Sequence, residues 1–119
     1  MLDINMEYRK GILFVRLGGD LSNNNCSILN SSLKKIIDNN NIKFLTFNMS
    51  ELNNIENEGI SIILDYNNTL IRNNGKTFIC GIKKIKVKEE LNNSKILTHI
   101  IPIKDELSAV NYIIKGGYI

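Results

Sequence analysis

The sequence predicts a single α/β domain spanning residues 1–119, with a mostly parallel central sheet, an N-terminal hairpin strand and about four helices packed mainly on one face. Two observations carry this. Short apolar runs of strand length alternate with segments whose apolar residues recur every three or four positions, in the order β β α β α β α β α. After the opening hairpin each strand is separated from the next by a helix, and such connections cross over right-handed and leave their strands parallel. A chain of 119 residues holds one core of ordinary size.

Taken in order, Leu2, Ile4, Met6 and Tyr8 alternate and share one side of a first strand. Arg9 to Gly11 is the hairpin turn, and Ile12, Leu13, Phe14, Val15 and Leu17 form a second strand that Gly18-Gly19 ends. Asp20-Leu21-Ser22 leads into a helix with Cys26, Leu29, Leu33, Ile36 and Ile37 on one face, capped by Ser22 or one of Asn23 to Asn25 and ended by Asp38 and Asn39 to Asn41. Phe44 to Phe47 reads as a short buried strand and Asn48 to Asn57 as a polar loop. The second helix opens at Glu58-Gly59, with Asn57 as its N-cap and Ile60, Ile63, Leu64, Leu70 and Ile71 inward. Asn73-Asn74-Gly75 ends it, with Gly75 in the left-handed position.

Thr77 to Cys80 is another buried strand, broken by Gly81. Lys84 to Leu91 reads as a short helix with Val87 and Leu91 inward and a Lys88 stem beside them, and Asn92-Asn93-Ser94 as a break. His99 to Ile103 is a last strand, placed at a sheet edge because Pro102 has no amide donor. Asp105 caps a final helix with Leu107, Val110, Ile113 and Ile114 inward and Gly116-Gly117 at its end.

Composition excludes several classes of function. The net charge is only +3, and the one basic cluster, Lys83, Lys84, Lys86 and Lys88, has no interleaved aromatics and runs into Glu89-Glu90. That is a solvated helix face, so no nucleic-acid partner is expected. Cys26 and Cys80 have no metal-like spacing and read as buried free thiols. His99 is the single histidine and stands without an Asp, Ser or Cys in a catalytic arrangement. Gly18-Gly19 lacks the spacing of a phosphate loop. No cofactor, metal or catalytic residue is expected. The absence of a signal-like start and of an apolar run of about 20 residues argues for a cytoplasmic chain without membrane insertion.

The remaining candidate is the crevice where a buried strand passes into a helix start, the usual binding position of an open α/β sheet. Glu56 and Glu58 crowd this opening, where the helix dipole favours their negative charge by roughly 0.3–1 kcal/mol. That suits docking better than proton transfer, although the same residues could serve only to start the helix.

The order and spacing of the short motifs resemble the STAS domain, and more narrowly the bacterial anti-sigma factor antagonists. Gly19-Asp20-Leu21-Ser22 stands where that family has G-E-L-D, and Phe44-Leu45-Thr46-Phe47-Asn48-Met49-Ser50 resembles its buried strand. Glu56-Asn57-Glu58-Gly59-Ile60 stands at the family's D-S-S-G-L/I loop, and Gly75 to Gly81 matches its G-G-x-φ-x-φ-x strand. The resemblance covers nearly the whole chain. In the family the second serine of D-S-S-G is phosphorylated by a partner kinase that is also the anti-sigma factor, and phosphorylation blocks binding. Glu58 occupies that phosphorylation-equivalent position and has no hydroxyl, while Asn57, Glu56 and Ser22 replace the first serine, the aspartate of the loop and the aspartate of G-E-L-D.

The resemblance implies a non-catalytic interaction module that docks a kinase-like anti-sigma factor through residues 53–61. Asp20, Ser22, Asn54, Glu56, Asn57, Glu58, Gly59, Ser61 and Asp65 are the expected contacts, with Asn68 and Arg72 further along the same helix flank. Glu58 is then either a permanent phosphoserine mimic or part of a patch rebuilt for another partner, and Ser61 is a weaker substitute acceptor. The alternative within the family is a small-molecule or nucleotide sensor, or a cytoplasmic subunit of a transporter. Oligomeric state stays open at this level.

Overall fold

In a computed structural model, which describes residues 1–116, the chain forms a five-stranded sheet in the sequential order β1-β2-β3-β4-β5. The strands are β1 (Leu2–Arg9), β2 (Ile12–Leu21), β3 (Phe44–Ile55), β4 (Lys76–Cys80) and β5 (Ile101–Ile103). The helices are α1 (Cys26–Asn40), α2 (Asn57–Arg72), α3 (Ile85–Ser94) and α4 (Glu106–Lys115), with a 3-10 turn at Ile96–Thr98. β1 and β2 are an antiparallel hairpin, and the pairs β2–β3, β3–β4 and β4–β5 are parallel, as the alternation of elements requires. Among the described residues no helix is long and apolar enough to cross a membrane.

Strand period divides the core. Leu13, Val15 and Leu17 of β2 and Leu45, Phe47 and Met49 of β3 point to one face, where Leu29 and Leu33 of α1, Ile60 and Ile63 of α2, and Val87 and Leu91 of α3 cover them. Each such leucine or isoleucine contributes about 1.5–3 kcal/mol by leaving water. Ile12, Phe14, Phe44 and Phe78 point to the other face, and α4 alone covers them with Ala109, Val110 and Ile113. Thus three helices share one face and the fourth lies behind.

Several boundaries differ from the sequence reading. β2 does not stop at Gly18-Gly19 but runs to Leu21, because its register against β3 shifts at Arg16/Gly18 and again at Gly19/Asp20. Gly19 sits at φ +77°, and the glycine pair absorbs these irregularities without ending the ladder. β3 accordingly continues through the predicted loop to Ile55, with Met49, Leu52 and Ile55 buried. The register shifts break strict alternation there, so a half-polar strand looked like a loop. The left-handed residue after α2 is Asn74 (φ 64°), not Gly75; Gly75 is required because a Cβ would collide with the Lys43 carbonyl. Asn92 to Ser94 belong to α3, which ends at Lys95 in the left-handed region (φ 63°), and Lys88 is exposed.

On the faces, Ile71 is 55% exposed, and Tyr66 and Asn67 are buried in its place. Leu107 and Ile114 are likewise exposed and Ala109 is inward, since α4 meets the sheet along a narrower stripe than the apolar pattern suggested. His99 falls outside β5 and follows the 3-10 turn, and β5 is an edge strand as Pro102 required. Asp105 caps α4, its side chain accepting from the Ser108 amide at 2.9 Å. Gly116 ends α4, and Gly117 lies outside the described residues.

Candidate functional site

β2 and β3 end side by side, with Leu21 paired to Ile55, and the Glu56 amide adds one more rung by donating to the Leu21 carbonyl at 2.9 Å. The chain then turns directly into α2. Glu56 is the N-cap, extended at φ −116° and ψ 169°, and Asn57 is the first helical residue rather than the cap. The sheet decides this, because the last ladder bond holds Glu56 extended and frees Asn57 to turn.

The Glu56 side chain does not cap its own helix. Its Oε1 accepts from the Asn23 amide at 2.8 Å, and Asn23 Oδ1 accepts from the Glu58 amide at 3.0 Å. The β2–α1 loop and the α2 start are therefore clamped reciprocally, and an orphan amide of the first turn is satisfied by a residue 35 positions away. In the local sequence Asn23 reads only as a candidate cap for α1. Nothing local marks it as the cap of another helix.

Gly59 lies at the crossing of α2 over β2. A Cβ there would stand 2.6 Å from Leu21 Cγ and 2.8 Å from Leu21 Cδ2, so helix and strand approach closer than any other residue permits. Gly59 is buried, whereas Glu58 beside it is exposed. The opening of α2 is thereby pressed onto the sheet while its acidic side chain faces solvent.

The other expected residues divide into two groups. Asn54, Glu56 and Asn57 line a cleft of about 240 Å³ together with Asn23, Ile55, Lys86 and Glu90. Lys86 and Glu90, on α3, are additions to the site. In sequence they belong to a charged helix face, and only the packing of α3 beside the α2 start makes them lining residues. Glu58, Ser61 and Asp65 form the second group, an exposed ridge along α2 at helical spacing, which Asn68 and Arg72 extend. Asp20 is half-buried and paired in register with Asn54, its carboxylate 4.0 Å from the Met1 amine. Ser22 is tied into the β2–α1 turn: its amide donates to Asn25 Oδ1 at 2.9 Å and its Oγ accepts from the Asn25 amide at 3.3 Å. Asn25 Nδ2 in turn donates to the Asp20 carbonyl at 2.9 Å.

The arrangement offers carboxylates, amides and a hydroxyl around a rigid helix opening. Such a surface supports recognition through charge and hydrogen bonds. Among the described residues no group of three or more His, Cys, Asp or Glu is placed to hold a metal ion.

The titratable groups shifted furthest lie away from this opening. Arg16 donates to both Glu106 carboxylate oxygens at 2.8 Å, to Glu7 at 2.8 Å and to Asn5 at 2.9 Å, while Asn48 Nδ2 reaches Glu106 at 2.9 Å. The Arg16 bonds, with Asn48 adding to them, hold the Glu106 carboxyl below the usual range. This bidentate pair fastens α4 to the sheet. Burial, with Glu106 and Asp105 nearby, pushes the Cys80 thiol up to about 12. Both cysteines are free and buried.

Residues 3–110 match the family model of the STAS domain. In sequence the chain is similar to an anti-sigma F factor antagonist of Paenibacillus polymyxa, 22% identical over 81 residues, covering 68% of this chain and 69% of that protein. In fold it is similar to the crystal structure of a putative anti-sigma factor antagonist from Thermotoga maritima, with a TM-score of 0.84, 10% identity, and 92% and 93% of the two chains covered. It is also similar to the Bacillus cell fate determinant SpoIIAA in its phosphorylated form, with a TM-score of 0.70, 14% identity, and 93% and 99% covered.

Proposed function

This chain belongs to the STAS domain family, and we propose that it is a non-catalytic, cytoplasmic antagonist of an anti-sigma factor, docking a kinase-like partner through the α2 opening at residues 53–61. The anti-sigma factor antagonist relatives support the class of partner. The observation that carries the reading is that Glu58 is exposed with its amide held by Asn23, at the position that by motif resemblance corresponds to the family's phosphorylated serine. A glutamate carries one negative charge where phosphoserine carries about 1.5 to 2, and it cannot be added or removed. The contact is then outside control by phosphorylation, and the partner is one that accepts an acidic side chain at this place. Asn54, Glu56 and Asn57 in the cleft, and Ser61 and Asp65 on the ridge, extend the contact, with Asp20 and Ser22 at the strand end beneath it.

The test is binding of the wild-type chain to the kinase-like anti-sigma factors of the source organism, followed by incubation with labelled ATP. Wild type binds one of them and takes up no label, whereas Glu58→Ser becomes labelled at position 58. Failure to bind any of these factors removes the partner assignment, and labelling of the wild-type loop removes the assignment of Glu58.

A further inference from the structure

The two edges of the sheet are built differently. β5 has three residues with Pro102 at its centre, which blunts that edge against further pairing. β1 has eight residues, no proline, and an outer side that no other strand of the described chain occupies. A long edge of this kind is a template for another strand. We propose that β1 is the interface of a two-fold dimer of this chain, in which two copies pair their β1 strands antiparallel with Met6 opposite Met6, joining two five-stranded sheets edge to edge.

Charge selects the occupant, and charge with ladder length selects the register. The even residues of β1 face the helix-covered side and the odd residues the α4 side, so a two-fold axis normal to the sheet sets like faces together. With the axis at Met6, Asp3 of each copy lies opposite Arg9 of the other, and Asn5 lies opposite Glu7. Directly opposed residues have Cβ atoms about 4.5–5.5 Å apart, within reach of an ion pair. Moving the axis to Asn5 sets Asp3 against Glu7, moving it to Glu7 sets that carboxylate against itself, and moving it to Ile4 leaves Arg9 outside the ladder. Moving it to Tyr8 sets Glu7 against Arg9 but keeps only residues 7–9 in the ladder, so the Met6 register alone pairs opposite charges twice within a long ladder.

Among the described residues Asp3 is unengaged, and Arg9, which lies over the Phe14 ring at 5.2 Å, makes only long ion pairs within its own chain. The Asp3 side chain has no hydrogen bond or ion pair among the described residues. Arg9 is half exposed, and its nearest carboxylates, Glu7 at 3.6 Å and Glu106 at 4.0 Å, are already taken by Arg16 at 2.8 Å. On the other side the same register sets Ile4 against Tyr8, an aromatic residue 60% exposed in the single chain, and so covers it.

Sedimentation equilibrium over a concentration series on the whole chain tests this with two charge reversals, Asp3→Arg and Arg9→Asp. Wild type moves toward twice the monomer mass as concentration rises. Each variant alone opposes like charges at both ends of the ladder and stays at monomer mass. An equimolar mixture sets the introduced arginine of one copy against the introduced aspartate of the other, and the native Arg9 of the first against the native Asp3 of the second. The dimer mass then returns, which also shows that both variants are folded. A wild type that stays monomeric throughout, a single variant that associates like wild type, or a mixture that stays monomeric each overturns the proposal.

Discussion

The closest packing near the site is that of Gly59 on Leu21, and replacing Gly59 by alanine probes it directly. The new methyl would lie 2.6 and 2.8 Å from two carbons of a fully buried leucine, where carbon atoms rest about 3.5–4.0 Å apart. Either α2 lifts by about 1 Å or Leu21 leaves its rotamer. Overpacking of this kind costs about 1–3 kcal/mol, and the better helix propensity of alanine returns at most about 1 kcal/mol. A net loss of about 2 kcal/mol is expected. Unfolding entropy of about 2.1 cal/mol/K per residue makes that a fall in Tm of roughly 8 °C for a chain of this length.

Urea and thermal unfolding of Gly59→Ala, Leu21→Ala and the double variant separate the clash from other effects. Leu21→Ala alone costs about 2–5 kcal/mol through its cavity. In that background the alanine at 59 fills space instead of colliding, so its own cost vanishes and the coupling between the sites is about 2 kcal/mol. If Gly59→Ala is neutral or stabilising by itself, or if the two costs simply add, the close approach of helix to strand is not what requires glycine here.

Glu106→Gln should loosen α4 by about 2 kcal/mol at neutral pH, because a charge-assisted bidentate pair is replaced by weaker bonds to Arg16. The folded Glu106 carboxyl is shifted down, so its stabilising contribution is complete above the unfolded value of about 4.3 and disappears as pH falls through the folded one. Unfolding curves of wild type and variant should therefore converge in acid; a constant gap down to the lowest pH would refute this origin. Asn23→Ala removes the cap that the β2–α1 loop lends to α2 and should cost about 1 kcal/mol. It should also speed hydrogen exchange at the Glu58 amide, and unchanged exchange there would show that the cross-loop bond holds nothing.

Much of this architecture was legible from periodicity alone. The order of the elements, the hairpin and parallel connections, the edge position forced by Pro102 and the inward residues of α1 all follow from local pattern, because side-chain direction repeats every 2 residues in a strand and every 3.6 in a helix. The placing of Glu58 in the first turn of α2 was readable for the same reason.

Residues that meet across long sequence separations left no such trace. Strand β2 runs on past Gly18-Gly19 and β3 past Asn48 because each supplies the other's backbone partners, and neither segment alone announces it. Asn23 lies among other asparagines and becomes a cap only when the ends of β2 and β3 align. Lys86 and Glu90 join the cleft through the packing of α3. Arg16 and Glu106, 90 positions apart, fasten α4 to the opposite face of the sheet. A residue's own neighbours dictate which way it points, and folding alone dictates what it meets there.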